Sequence, residues 1–110
     1  MTRRRARFDP DVPFPVAVWN AVRAIPPGRV LSYGDVGLLA GRARAARAVA
    51  AALRFTGSTD VPWHRVVGAG GEVRIRDPSL RAEQIRRLRR EGVPVDARGR
   101  FRYAEYAWRP

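Results

Sequence analysis

The residues best equipped for chemistry sit together in Val61-Pro62-Trp63-His64-Arg65-Val66-Val67. This stretch holds the single His of the chain, a Trp between Pro and His, and an Arg leading into a β-branched pair. An imidazole can move a proton near neutral pH, an indole offers a flat apolar face, and a guanidinium offers a planar fork. A Pro followed by an aromatic and then Val-Val reads as a rigid entry into a short strand. Two readings are open: a functional loop, or a loop whose Trp fills the core and whose His caps nearby backbone. The missing residue types narrow the chemistry. With no Cys, disulfides, thiolate metal sites and a Cys nucleophile are excluded. One His among scattered carboxylates makes no ligand set, so neither metal nor cofactor is expected.

The chain of 110 residues has room for one domain with a single modest core, and 45% hydrophobic content supports a folded protein. No stretch approaches the roughly 18 apolar residues of a membrane span, and no apolar signal core follows the basic N-terminus. The net charge is +12, and all 22 basic residues are Arg. A total lack of Lys also fits a GC-rich coding sequence, so the size of the charge carries the argument. A domain this basic is expected to meet a polyanion, with nucleic acid ahead of a membrane surface. A cytoplasmic, nucleoid-associated bacterial monomer is expected.

The elements that must position the central stretch can be read along the chain. Residues 1–12 carry four Arg and then Asp9-Pro10-Asp11, and read as a flexible basic arm ahead of a folded domain over 13–110. Phe14, Val18, Val22 and Ile25 recur at helical spacing until Pro26-Pro27-Gly28. After the extended link Arg29-Val30-Leu31, Ser32 has N-cap character before a short helix over Tyr33–Ala40, stopped by Gly41. A helix is expected over Ala43–Arg54, with Arg44, Arg47, Ala51 and Arg54 in one sector opposite Ala45, Val49, Ala52 and Leu53. Ala48 and Ala51 are small enough to let the backbone approach a surface. Two short helices around a Gly-containing turn form a helix-turn-helix pattern, although a solvated helix can carry the same arginines.

Phe55 to Asp60 reads as a loop. Val66-Val67 and Val73-Arg74-Ile75 flank Gly68-Ala69-Gly70-Gly71 as a small β-hairpin or wing. Asp77-Pro78 opens a helix closed by Gly92, with Leu80, Ile85, Leu88 and Glu91 inward and Arg86, Arg87 and Arg90 outward. Phe101-Arg102-Tyr103 reads as a short strand, and Tyr106-Ala107-Trp108 as aromatics folded onto the core. The expected fold is mainly α with a small β-hairpin.

Four motifs in order carry a family resemblance. Ile25-Pro26-Pro27-Gly28-Arg29-Val30-Leu31-Ser32-Tyr33-Gly34-Asp35-Val36, Ala46-Arg47-Ala48-Val49, Pro62-Trp63-His64-Arg65-Val66-Val67 and Glu91-Gly92 resemble the DNA-binding domain of the O6-alkylguanine-DNA alkyltransferases, a winged helix-turn-helix. That family's signature is Pro-Cys-His-Arg-Val, in which Cys accepts the alkyl group. With Trp63 at that position, and an ending Tyr106-Ala107-Trp108-Arg109-Pro110, the chain is similar to the non-catalytic alkyltransferase-like proteins.

The resemblance implies binding of O6-alkylguanine in double-stranded DNA by base flipping, without alkyl transfer, and handover to nucleotide excision repair proteins. It gives Arg47 the role of the finger entering the duplex, and Tyr33 that of crowding the 3′ phosphate of the target nucleotide. Arg44, Ala48 and Arg54 accompany them on the DNA-binding surface. Trp63, Val66, Leu53, Arg76 and Tyr33 surround the lesion, while His64 and Glu91 correspond to the pair that activates the thiol in the transferases. Here that pair is expected to serve structure. Thr56 stands near a bracing Asn of the transferases. Flipping a base costs a few kcal/mol, less where alkylation has weakened its pairing. Two other readings remain: a repair hydrolase or glycosylase using His64 with Glu91, and a winged-helix regulator that reads undamaged sequence.

Overall fold

The computed structural model describes residues 10–56 and 60–110. Most of the basic arm expected over residues 1–12, and residues 57–59 of the expected loop, lie outside the described residues. The elements run α1 (Phe14–Arg23), β1 (Leu31–Ser32), α2 (Tyr33–Leu39), α3 (Ala46–Arg54), a 3-10 turn (Trp63–Arg65), β2 (Val66–Val67), α4 (Pro78–Arg90) and α5 (Tyr103–Tyr106). They gather into two compact units, Met1–Ala24 with Tyr33–Trp63, and Ile25–Ser32 with His64–Pro110. No helix among the described residues is long and apolar enough to cross a membrane.

In the helical unit, Val18 and Val22 of α1, Val36 of α2 and Val49 of α3 are fully buried. The Trp19 indole N–H donates to the Ala52 carbonyl at 2.9 Å, pinning α1 to α3. Gly41, at φ +95°, ends α2 in a left-handed cap. The Arg42 N–H reaches back to the Gly37 carbonyl (2.8 Å) and the Gly41 N–H to that of Leu38 (3.0 Å), which satisfies the last carbonyls of α2. A Cβ on Gly37 would lie 3.0 Å from the Arg42 carbonyl oxygen and 3.2 Å from the Ala45 Cβ. A glycine is what allows the turn to close this tightly.

That turn corrects the expected start of the second helix. α3 begins at Ala46, not Ala43, because Arg44 adopts φ +54°, a left-handed conformation that a right-handed helix excludes. Arg44 therefore stands in the turn, and Arg47, Ala51 and Arg54 keep the helical stripe. Leu53, expected on the core face, is half-buried.

The second unit is built on Val30, Val67, Val73, Leu88, Val93 and Val95, with Ile85, Phe101, Tyr103 and Tyr106 packed against them. β1 and β2 pair in parallel, Leu31 opposite Val66 and Ser32 opposite Val67. The expected hairpin shrinks to one antiparallel bridge, Gly68–Glu72, because the backbone beyond it finds other partners. The Val73 N–H donates to the Gly99 carbonyl and the Phe101 N–H to that of Gly71, both at 2.9 Å, with Glu72 bridging Arg100. Two further expectations change. Tyr103 belongs to the helical turn α5, closed by the Ala107 N–H on the Tyr103 carbonyl (2.9 Å), and not to a strand. Leu80 is 50% exposed, since α4 turns Gln84 and Leu88 into the core, one turn apart.

Candidate nucleic-acid interface

α3 presents Arg47 and Arg54 to solvent, while Ala48, Ala50 and Ala51 between them are half-buried. Alanine side chains are too short to cover a neighbour, so Arg47 projects from a low surface. Its position does little for the helix. No side chain caps the N-terminus of α3 and no acid stands in its first turn, so Arg47 adds positive charge at the positive end of the helix dipole. Such an arrangement favours an incoming anion. In the preceding turn Arg42 is held over the Phe14 ring, 4.0 Å from its centroid, whereas Arg44 is exposed. Tyr33, half-buried, opens α2. The helical unit also exposes two large apolar side chains that no sequence pattern singles out, Phe55 (78%) and Leu38 (58%).

The 3-10 turn places His64 at the edge of the second unit's core. Its Nε2 lies 2.9 Å from Glu91 Oε2, with both side chains largely buried. Arg65, absent from the expected site, grips the same carboxylate: Nε donates to Oε1 at 3.0 Å and a terminal nitrogen to Oε2 at 2.6 Å. The Gly28 N–H adds a third donor at 3.1 Å, and Arg65 also donates to the Ile25 carbonyl at 2.9 Å. Burial alone would raise the pKa of Glu91. The bonds from Arg65, His64 and Gly28 outweigh it and bring the carboxyl down to about 2. Burial lowers the pKa of His64, against the pull of Glu91. Near neutral pH the imidazole is therefore neutral and donates through Nε2 to an ionised carboxylate. Such a pair can support acid–base chemistry, and the sequence holds no cysteine for it to serve.

Gln84, fully buried on α4, holds the turn from behind. Its amide nitrogen donates to the carbonyls of His64 (3.1 Å) and Val66 (2.9 Å). A polar residue inside an amphipathic helix leaves no mark in hydrophobic spacing, which is why the sequence did not reveal it. Tyr33, Arg44, Arg47, Ala48, Leu53, Arg54 and Trp63 belong to the helical unit; His64, Val66, Arg76 and Glu91 belong to the second. Within these units Trp63 is half-buried, Val66 is fully buried and Arg76 is exposed. Among the described residues no group of three or more His, Asp or Glu could hold a metal ion.

Known proteins are similar to this chain in sequence and fold. Residues 13–93 match the family described as "6-O-methylguanine DNA methyltransferase, DNA binding domain". The DNA base-flipping protein of Escherichia coli is 41% identical over 103 residues, covering 93% of this chain and 79% of its own. Alkyltransferase-like protein 1 of Schizosaccharomyces pombe is 35% identical, and its crystal structure with damaged DNA containing O6-carboxymethylguanine superposes with a TM-score of 0.80 over 88% of this chain and 95% of that one. The Mycobacterium tuberculosis O6-methylguanine methyltransferase superposes with a TM-score of 0.65 at 33% identity, over 77% of this chain and 53% of that one. The fold is thus the winged helix of these DNA-binding domains, with α2 and α3 as its helix-turn-helix, and the chain belongs to the alkyltransferase-like, base-flipping branch of this family.

Proposed function

We propose that this protein binds O6-alkylguanine in duplex DNA, rotates the damaged base out of the stack without accepting its alkyl group, and marks the site for nucleotide excision repair. The observation that carries the reading is the 3-10 turn. It keeps a complete His64–Glu91–Arg65 network but presents an indole, Trp63, immediately before the imidazole, in a sequence without cysteine. An indole offers an alkylated base a flat apolar face and offers its alkyl carbon no nucleophile. Arg47, standing clear of its alanine neighbours, suits insertion into the duplex in place of the extruded base. Arg44 and Arg54 suit phosphate, Ala48 permits close approach, and Tyr33 crowds the backbone at the target. Leu53, Val66 and Arg76 keep the lesion-recognition roles that the family resemblance gives them. The protein acts as a monomer on the nucleoid, in the cytoplasm.

The test is equilibrium binding to one duplex with and without a single O6-methylguanine at fixed, near-physiological salt, followed by mass spectrometry of protein and DNA. Preference for the lesion with both molecules unchanged supports a damage sensor. Equal binding would return the protein to a sequence-reading or non-specific domain. The His64–Glu91 bond favours one second reading, a hydrolase, and release of free base or alcohol from the lesion strand would establish it.

A further inference from the structure

Both units of this protein are positively charged. The helical unit, Met1–Ala24 with Tyr33–Trp63, has nine arginines against four carboxylates, a net +5, with four of those arginines and one carboxylate outside the described residues. The unit of Ile25–Ser32 and His64–Pro110 has thirteen arginines against six carboxylates, a net +7 with His64 neutral. Much of this excess lies on α4 and the turn that follows it. Arg86, Arg89 and Arg90 are exposed on the outer side of α4, and Arg98 and Arg100 are exposed on the turn.

Arginine side chains, donating to backbone carbonyls, strap the turn along the helix. Arg89 Nε donates to the Val95 carbonyl at 2.9 Å. Arg81 donates to the carbonyls of Val73 (2.9 Å) and Arg98 (2.8 Å). The nearby carboxylates are already engaged. Glu83 takes Arg86 and Arg87, and Asp96 Oδ1 accepts the N–H groups of Arg98 and Arg100 at 2.8 and 2.9 Å. Among the described residues no carboxylate forms an ion pair with Arg89, Arg90, Arg98 or Arg100. Cations in the last turn of a helix complement its dipole, which accounts for Arg89 and Arg90 but not for Arg98 and Arg100.

We propose that α4 and the turn at residues 96–100 form a second nucleic-acid-binding surface, which grips the phosphodiester backbone without reading sequence or damage. Residues three and four apart on a helix stand about 5–6 Å from one another, so the arginines make a row of charge. Their guanidinium forks match phosphate oxygens. α4 has no aromatic residue, and its one large exposed apolar side chain, Leu80, stands in the first turn, ahead of Arg86, Arg89 and Arg90, so the row itself carries no apolar anchor of the kind a protein partner would use. The proposal rests on DNA binding but not on lesion recognition.

The test compares the full-length chain with its Arg86→Gln/Arg90→Gln/Arg98→Gln variant on duplexes with and without O6-methylguanine, over about 50 to 200 mM salt. The slope of log K against log salt should shrink by about 0.9 for each phosphate that is no longer neutralised, hence by roughly 2 to 3, while the ratio of affinities for the two duplexes changes less than about two-fold. The matching Arg→Lys variant should keep the slope. Stoichiometry at saturation assigns the phosphates to the same duplex or to a second one, and either supports the surface. An unchanged slope in a folded variant overturns the proposal and leaves the row to an acidic protein or to the helix dipole. Should the triple variant fail to fold, Arg90→Gln alone must lower the slope by about 1. Equal affinity of the wild type for the two duplexes would defeat the lesion reading while leaving the salt comparison intact.

Discussion

At Glu91 one carboxylate gathers an imidazole, a guanidinium and a backbone amide. Its side chain is 17% exposed, so the lowered pKa translates into stability with little loss to solvent screening. A carboxyl that titrates at about 2 when folded, against an ordinary 4.5, contributes on the order of 3 kcal/mol. Because the folded pKa is the lower one, this stability is fully present above pH 4.5 and disappears as the pH falls toward 2. His64 acts in the same direction. The unfolded chain takes up its proton near 6.5 and the folded chain only at lower pH, so stability begins to decline just below 6.5. Urea unfolding should show Glu91→Gln less stable by about 3 kcal/mol at pH 7, with a flatter profile between pH 4.5 and 2. A variant as acid-sensitive as the wild type would place the titration elsewhere. Arg47 belongs to the other class of residue, exposed and structurally idle. Arg47→Ala should weaken lesion binding by roughly thirty-fold, about 2 kcal/mol, and leave the melting temperature unchanged. Wild-type affinity for the lesion in that variant would refute the flipping model.

At the scale of elements, the turn between α2 and α3 sets stability against binding. Arg44 holds a left-handed conformation that glycine adopts without strain. Arg44→Gly should raise the free energy of unfolding by up to about 1 kcal/mol while weakening DNA binding through the missing charge. Loss of stability would show that the Arg44 side chain supports the fold. This turn also marks where the sequence stopped being informative. Gly41 announced the end of α2, and Val18, Val22 and Val49 announced buried faces, because glycine caps and apolar spacing are local signals. Nothing local says that a non-glycine residue such as Arg44 will take positive φ, so α3 read three residues too long. The hairpin of the wing read too long for a similar reason: Val73 and Gly71 take backbone partners from residues 99 and 101, which no pattern around the glycines could disclose. Trp63, His64 and Arg65 stood out in one stretch, although no pattern tied Arg65 to Glu91, whereas Gln84 was hidden inside a helical repeat.

For the molecule as a whole, the C-terminal segment is part of the scaffold although it lies beyond residues 13–93 of the shared family domain. The Val30 N–H donates to the Tyr106 carbonyl (2.9 Å), and the Val30 carbonyl accepts the Trp108 N–H (2.8 Å). The Tyr103 hydroxyl accepts the Ser32 N–H at 3.0 Å. Deleting residues 103–110 would leave three backbone groups of Val30 and Ser32 without these partners and uncover the valine core. We expect a loss of at least about 3 kcal/mol, read as a broadened, lowered thermal transition. A melting curve identical to that of the intact protein would reduce the segment to decoration. The pairing of Val30 with Tyr106 and Trp108 also orders events during synthesis. Val30 leaves the ribosome long before its partners exist, so the backbone edge beside β1 stays open until they are made. A nascent chain carries an unpaired strand edge next to a half-built core until residues 106–108 are added. Premature release of the chain would thus yield a sticky fragment, not merely a weaker binder.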